Sequence, residues 1–329
     1  MKASFDNMQN NARHILGEEV PLLTPYVVVV EPSGFCNLKC VFCPLNDAEA
    51  SKGLKRDFLA LELYRQILEQ IQEFPAPIKI LRLIGNGEPL LNKDIVSMVS
   101  LAKKAGVAEK VEITTNGTLL NPKLNRDLVH AGLDILKVSV EALREEDFLS
   151  IAGCRMDMEK FTENLKDFFG IRNGCQMYIK ITNLAIKSEE DRETFFSTYG
   201  DFADHIFIEN ISPVWPEFNM DFEWSQEMGR YGHEVKRKEI CAHIFKSIMV
   251  CADGMVLPCC ADWQRKLALG NIRNERLRSI WNGSKLRDLQ RMFLRHRREE
   301  LDPCCRCLYN EYCDPDSLDG FEEEIAQRM

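Results

Sequence analysis

Three cysteines in one short segment are the clearest candidates for metal chemistry in this sequence. Cys36, Cys40 and Cys43 are separated by three and then two residues, and the segment between them contains no histidine. Ferredoxin-type runs supply four thiolates to a 4Fe-4S cluster. Three thiolates would leave one iron open to a reacting ligand, as a catalytic zinc site keeps one position free. A zinc knuckle is the alternative, although zinc sites are usually built from paired Cys-x-x-Cys or Cys/His sets.

The pattern Cys-x-x-x-Cys-x-Phe-Cys follows an apolar strand and resembles the signature of the radical S-adenosylmethionine (SAM) superfamily. The resemblance implies that the open iron binds the amino and carboxylate groups of SAM. It further implies that an electron from the cluster cleaves SAM to a 5'-deoxyadenosyl radical, which abstracts hydrogen from a substrate. Phe42 would lie beside the adenine. We expect a flavodoxin or ferredoxin-type protein to donate the electron.

Two later motifs resemble SAM-binding motifs of the same superfamily. Residues 84–90 read Ile-Gly-Asn-Gly-Glu-Pro-Leu, close to a Gly-Gly-Glu-Pro motif with Asn86 in place of its first glycine. The resemblance implies that Gly87 and Glu88 bind the SAM amino group, because glycine lets backbone amides approach a ligand and a carboxylate accepts from an ammonium. Residues 114–117 read Thr-Thr-Asn-Gly, and Asn116 is the candidate ribose contact. A plain Asn-Gly turn is the alternative.

Polar residues alternate with apolar ones along three further predicted strands, and alternate residues of a barrel strand face its interior. Ser139 and Glu141 are expected in the SAM pocket. Lys180 would neutralise the SAM carboxylate or a substrate phosphate, unless it is a surface lysine at the strand edge. Glu209 and His205 are candidates for substrate contact or proton transfer.

Short β-branched segments alternate with helical ones, which predicts parallel strands joined by crossover helices. Strands are predicted near 26–31, 79–84, 110–115, 134–140, 176–183 and 204–210, and helices over 61–73, 95–105, 122–131, 158–169 and 189–199. The resemblance implies an α/β fold, a partial (β/α)6 TIM-like barrel with a small C-terminal cysteine-rich domain of the twitch or SPASM type. Catalytic groups in such barrels lie at the C-terminal ends of the strands.

A second group of cysteines lies near the C-terminus. Four of its thiolates could complete a cluster without an added ligand, although the spacing also permits zinc. Residues 253–260, 269–272 and 280–282 resemble the SPASM/twitch extension of radical SAM enzymes, which holds auxiliary 4Fe-4S clusters. No cysteine follows Cys313, so the resemblance implies one auxiliary cluster. Its expected ligands are Cys241, Cys259, Cys304 and Cys307, and the alternatives to them are Cys260, Cys305 and Cys313.

Cys251 precedes a Gly-containing turn in the same segment and is not needed as a ligand. Its thiol could return a hydrogen atom to a substrate radical, or it could be a small buried hydrophobe, which is also the expectation for Cys154 and Cys175. The motifs divide the chain into five parts. These are an N-terminal extension (1–25), the barrel (26–211), a connecting segment or lid (212–240), the auxiliary iron-sulfur domain (241–313) and an acidic tail (314–329).

Composition limits the function classes. The 329 residues are 45% hydrophobic, carry a net charge of -9 and contain 13 cysteines. The negative charge argues against nucleic-acid binding, and the absence of a long apolar stretch argues against a membrane span. Without a secretory signal, clustered cysteines indicate metal ligation in a reducing compartment. We therefore expect a cytoplasmic enzyme.

The resemblance to single-cluster twitch enzymes implies a substrate that is a hydroxylated small molecule, such as a sugar, nucleotide sugar or aminocyclitol. Dehydrogenation or epimerisation would follow hydrogen abstraction. A SPASM-type peptide maturase is the first alternative, although only 35 residues precede Cys36, too few for the leader-binding domain that many maturases carry. A non-catalytic iron-sulfur electron carrier is the second, although a carrier does not need an open iron.

Overall fold

A computed structural model describes residues 3–4 and 14–329, and in this part of the chain nine strands form one sheet in the order β6-β5-β4-β3-β2-β1-β7-β8-β9. Strands β1 to β7 pair with one another in parallel, whereas the pairs β7–β8 and β8–β9 are antiparallel. The strands are β1 (Val27–Val30), β2 (Ile78–Leu83), β3 (Ala108–Thr115), β4 (Ile135–Val140), β5 (Gln176–Thr182), β6 (His205–Glu209), β7 (Ser247–Val250), β8 (Met255–Leu257) and β9 (Gly270–Asn271).

Helices follow the strands, as the apolar periodicity predicts. They are α1 (Leu16–Glu19), α2 (Leu61–Ile71), α3 (Ile95–Ala105), α4 (Pro122–His130), α5 (Glu145–Ala152), α6 (Met158–Ile171), α7 (Glu189–Tyr199), α8 (His243–Lys246), α9 (Leu277–Trp281), α10 (Ser284–Leu294), α11 (Tyr309–Tyr312) and α12 (Glu322–Arg328). Side chains of Asn121, Asp157 and Ser188 cap α4, α6 and α7 by accepting hydrogen bonds from first-turn amides, which satisfies donors that have no partner inside the helix. These caps fix where the crossover helices begin.

Strand register sorts side chains onto two faces. One face packs under the helices and carries apolar residues such as Val28, Leu81, Ile113 and Val138, all of which are buried. The other face lines the barrel interior, where Arg82 lies opposite Glu112 on the neighbouring strand. Because side chains alternate along a strand, the polar residues of β2 to β6 converge inside the barrel. The predicted partial (β/α)6 barrel is confirmed.

The C-terminal segment continues this sheet. Strand β7 pairs with β1 in parallel, with Val27 opposite Ser247, and β8 and β9 extend the sheet beyond it. The C-terminal domain expected from the sequence therefore shares one continuous sheet with the barrel. Hydrogen bonds between Glu31 and residues 250 and 252 place the carboxyl end of β7 beside that of β1.

Two flanking parts pack on this framework. Lys246 pairs with Asp314 and Asp316 of the predicted acidic tail, and Ile325 of α12 is fully buried. Arg328 donates hydrogen bonds to the carbonyls of Gly17 and Glu18 in the N-terminal extension. Most of residues 1–13 of that predicted extension lie outside the described residues. Within the described ranges, no helix combines the length and the apolar character needed to span a membrane.

Candidate active site

The first cysteine segment follows β1 and is held by backbone hydrogen bonds. Lys39 and Val41 donate to the carbonyls of Ala152 and Ile151 at the end of α5. The thiols of Cys36, Cys40 and Cys43 form no disulfide and lie close enough to influence one another electrostatically. Burial raises the pKa of Cys43 to about 12, so this thiol stays protonated at neutral pH unless metal coordination displaces the proton. A convergent three-thiol set fits three irons of a cluster.

Two amides of the turn after β2 donate hydrogen bonds to the segment that leads into Cys36. The amide of Gly87 donates to Ser33 O at 3.1 Å, and that of Glu88 donates to Phe35 O at 2.7 Å. A β-carbon at position 87 would overlap the carbonyl oxygen of Phe35. Gly87 is therefore required for close contact between two backbone segments, and its own amide is paired with Ser33 O.

Replacing Gly87 with alanine is expected to displace the cysteine segment and to destabilise the fold by about 1–3 kcal/mol. Iron content after anaerobic reconstitution measures the displacement, and urea denaturation measures the stability. Gly170 on α6 is the matched control, because a β-carbon there meets no atom within 4 Å. Normal iron content and unchanged stability in Gly87→Ala would contradict this role.

Glu88 connects the ends of β2 and β3. Its carboxylate is 3% exposed and accepts hydrogen bonds from the Leu90 amide (2.9 Å), the Thr115 hydroxyl (2.6 Å) and the Asn116 amide (2.8 Å). The Asn116 side chain donates to Asn37 Oδ1 at 3.0 Å and lies 3.9 Å from Cys36 Sγ. The predicted SAM-contact residues thus also hold the cysteine segment, and they lie directly beside Cys36.

Ser139 and Glu141 lie at the carboxyl end of β4, next to these residues. Neither side chain forms a hydrogen bond with another described residue, so both keep polar atoms for a ligand. Burial raises the pKa of Glu141 to about 7, Lys180 opposes the shift, and Glu209 and Glu88 add to it. Glu141 in turn raises the pKa of Cys36 and Cys40, which places it near the first cysteine set. Phe42 is half-buried against the core in that same set.

The raised pKa of Glu141 predicts a pH-dependent stability. The folded chain keeps a proton that the unfolded chain, with a pKa of 4.5, releases. The free energy of unfolding should therefore fall as pH rises from the unfolded value to about 7, by up to about 3 kcal/mol. Glu141→Gln should flatten this decline in urea denaturation between pH 5 and pH 8. Exposed Glu146→Gln serves as the control, and an unchanged slope in Glu141→Gln would contradict the assignment.

Lys180 is not a surface lysine. Its side chain is 17% exposed, and its Nζ lies 2.5 Å from Glu209 Oε2. Burial raises the pKa of Glu209, but the charges of Lys180 and Arg230 outweigh it and hold the pKa below its usual range. An ionised, doubly paired carboxylate is a poor proton shuttle, so Glu209 is better suited to hold cations in place. His205 opens β6 at its amino end and contacts Ser4 and Tyr178, away from the strand ends that carry the cysteines.

Several interior residues were not identified from the sequence. Arg82 pairs with Glu112, which also pairs with Lys137, and Arg230 of the connecting segment reaches Glu209. Arg82 and Glu112 could have been identified from the sequence, because each is a charged residue that lies between two apolar residues of its strand. No sequence pattern identified Arg230, because the connecting segment has no periodicity.

Glu31 was also missed, although it directly follows β1. Its carboxylate accepts hydrogen bonds from the amides of Asn86 and Ala252, both at 3.1 Å. Burial raises the pKa of Glu31. The residue ties the turn after β2 to the end of β7, and so fixes Cys251 relative to the first cysteine segment.

The four expected auxiliary ligands line one cavity, and the three alternative cysteines are not among its lining residues. Amides of Ala261 and Tyr309 donate to the sulfurs of Cys259 (3.3 Å) and Cys307 (3.4 Å). Burial raises the pKa of Cys241 to about 11. Four thiols that line one cavity, two of which accept hydrogen bonds from backbone amides, fit a metal cluster. The cavity is lined by Cys241, Cys259, Cys304 and Cys307 together with apolar and polar side chains from α8, α10 and α11.

The remaining cysteines divide into distinct environments. Cys305 is exposed, and Cys313 is buried beside Val214 and Tyr312. Ligand atoms of His243, Cys259 and Cys260 lie within 4.8 Å of one another and could also hold a metal ion. In the sequence, the spacing Cys241-x-His243 could have identified His243 as a candidate metal ligand. Cys251 is fully buried and packs against Val29, Met249 and Leu257, and the charges of Glu31 and Arg265 act on its thiol.

An open (β/α)6 barrel with a three-cysteine segment after its first strand defines a class of iron-sulfur enzymes. The chain belongs to the radical SAM superfamily, whose model matches residues 30–200. A second model, for the SPASM iron-sulfur cluster-binding domain, matches residues 241–308. These domains imply SAM and more than one 4Fe-4S cluster as cofactors.

Known relatives share this architecture at low sequence identity. The tungsten-containing aldehyde ferredoxin oxidoreductase cofactor-modifying protein of Pyrococcus furiosus is 23% identical over 327 residues, covering 87% of this chain and 88% of the relative. BtrN in complex with AdoMet and 2-DOIA superposes with a TM-score of 0.56 at 19% identity, over 86% of this chain and 92% of BtrN. Streptococcus suis SuiB bound to its precursor peptide SuiA gives a TM-score of 0.65 at 18% identity, over 92% and 73%.

Proposed function

We propose that the chain abstracts hydrogen from a hydroxylated small molecule, such as a sugar, nucleotide sugar or aminocyclitol, and yields a dehydrogenated or epimerised product. When bound at the first cysteine set, the cluster and SAM supply the radical that removes the hydrogen atom. The observation that carries the proposal is the polar barrel interior between the two cysteine sets. Lys180 and Glu209 face this interior, and Ser139 and Glu141 lie at its rim on the side of Cys36.

The residues have distinct proposed roles. Cys36, Cys40 and Cys43 would hold the SAM-binding cluster. Phe42, Asn116, Ser139 and Glu141 would contact SAM, while Gly87 and Glu88 position the cysteine segment. Cys241, Cys259, Cys304 and Cys307 would hold one auxiliary cluster, the twitch arrangement.

Dehydrogenation is the better-supported outcome of the two. Epimerisation needs a hydrogen-atom donor, and Cys251, the candidate donor, is fully buried. Dehydrogenation needs an acceptor for the second electron instead, and Cys259 of the auxiliary site follows β8 of the sheet whose β1 precedes the first cysteine segment. The structural likeness to SuiB keeps a peptide substrate as the second candidate.

Anaerobic reconstitution with SAM, a reductant and candidate substrates, followed by mass spectrometry, tests the proposal. The panel includes sugars, nucleotide sugars, aminocyclitols and peptides. A small-molecule product lighter by two hydrogens supports dehydrogenation, and an isobaric product that gains one solvent deuterium supports epimerisation. Turnover of peptides alone, or of none of these compounds, would contradict the proposal.

A further inference from the structure

Six charged side chains form a connected group inside the barrel, here called the interior charge layer. Its members are Arg82, Glu112, Lys137, Lys180, Glu209 and Arg230. Four are basic and two are acidic; five of them lie on the adjacent strands β2 to β6, and Arg230 lies in the connecting segment. Even with Glu141 counted as ionised, the basic side chains outnumber the carboxylates four to three. The layer itself therefore contains more basic than acidic side chains, in a chain whose net charge is -9.

The ion pairs of the layer share two carboxylates among four cations. Arg82 Nε lies 3.1 Å from Glu112 Oε1, and Lys137 Nζ lies 2.9 Å from Glu112 Oε2. Arg230 Nε lies 3.6 Å from Glu209 Oε1, whose other oxygen is 2.5 Å from Lys180. Each carboxylate thus serves two cations.

The two guanidinium groups are incompletely satisfied. Nε of Arg82 and Nε of Arg230 are buried and make no hydrogen bond of good geometry. Among the described residues, no acceptor receives a hydrogen bond from the terminal nitrogens of either arginine. A buried charge without sufficient counter-charge is unfavourable, and a guanidinium presents paired donors that match carboxylate and phosphate oxygens.

The layer lies where a substrate would be held. Lys180 and Glu209 influence the pKa of Glu141, which itself lies near Cys36 and Cys40. On the other side, Arg230 lies near Cys313, and Trp215 stacks against its guanidinium at 5.1 Å. The side chain of Arg82 is 36% exposed although β2 is an inner strand, so it borders accessible space in the barrel.

We infer that the substrate carries an anionic group, a phosphate or a carboxylate, which Arg82 and Arg230 bind inside the barrel. The inference rests on the proposed function, because it assigns the substrate class of the same site. An anion-binding site would narrow the set of candidate substrates. Sugar phosphates, nucleotide sugars and sugar acids fit the interior charge layer, whereas an aminocyclitol would bring a further cation to a layer that contains more basic than acidic side chains.

Isothermal titration of the reconstituted protein with SAM, under anaerobic conditions, tests the inference by affinity rather than by turnover. The probes are glucose 1-phosphate, glucuronate, glucose and glucosamine. At least one anionic probe should bind about tenfold or more tightly than glucose, and glucosamine should bind no better than glucose. The phosphate and the carboxylate probes distinguish the two anion sources. Equal affinities across the panel, including no measurable binding of either anion, would overturn the inference.

Variants of the two arginines provide a second test of anion binding. Arg82→Gln and Arg230→Gln should each weaken anion binding by about tenfold, and Arg192→Gln on the outer helix α7 should leave it unchanged. Circular dichroism checks that each variant folds. If a variant does not fold, the comparison of the four probes with the wild-type protein still tests the inference. Anion binding without turnover of any candidate would count against the proposed function alone, whereas turnover of an uncharged sugar without anion preference would count against this inference alone.

Discussion

Cys40→Ala should lower the rate of 5'-deoxyadenosine formation by at least about 100-fold, the upper end of the losses produced by changes around metal sites. Cys40 is buried between Cys36 and Cys43, and burial strongly raises the pKa of its thiol. Alanine preserves the backbone but removes one of three iron ligands, so a cluster with one open iron is no longer held. The measurement is chromatography of 5'-deoxyadenosine after anaerobic incubation with SAM and a reductant.

Iron analysis separates ligand loss from unfolding. We expect about eight irons per chain in the wild type and about four in Cys40→Ala, because the auxiliary cluster is retained. The control is Cys154→Ala, a free cysteine outside both sets, which should keep full activity. If Cys40→Ala cleaved SAM at the wild-type rate, the radical SAM assignment of this segment would be wrong.

Local signals predicted the barrel. The five predicted helices match observed ones, and helices α3 and α7 begin and end at the predicted residues. Each has its own apolar periodicity, which is a property of neighbouring residues. Helix α5 was not predicted, because its eight residues begin with Glu145, Glu146 and Asp147 and provide only about two turns of pattern.

The interior of the site could not be predicted in the same way. The spacing of Cys36, Cys40 and Cys43 is visible in the sequence because the ligands share one segment. The pairing of Arg82 with Glu112 depends on the register of β2 against β3, which no local pattern encodes. Gly87 is a second example. The sequence identifies this glycine, but the backbone atoms that leave no room for a β-carbon belong to the segment after β1.

Cys304→Ala and Cys307→Ala should separate the two clusters functionally. Both cysteines line the auxiliary cavity with Cys241 and Cys259, and the charges of Cys241 and Cys307 raise the pKa of Cys304 further than burial alone. Removing either thiol should lower the iron content from about eight to about four per chain. SAM cleavage should continue, because the first cysteine set is built from a different segment. Formation of the oxidised product should fall by about tenfold or more.

Cys305→Ala is the matched control for this prediction, because Cys305 adjoins Cys304 but is exposed and does not line the cavity. It should retain iron, SAM cleavage and product formation. The thermal midpoint should fall in Cys304→Ala and not in Cys305→Ala, since metal binding free energy contributes to folding. Full iron content in both variants would show that Cys304 and Cys307 are not ligands of the auxiliary cluster. His243 and Cys260, whose ligand atoms lie within 4.8 Å of that of Cys259, would then be the next candidates.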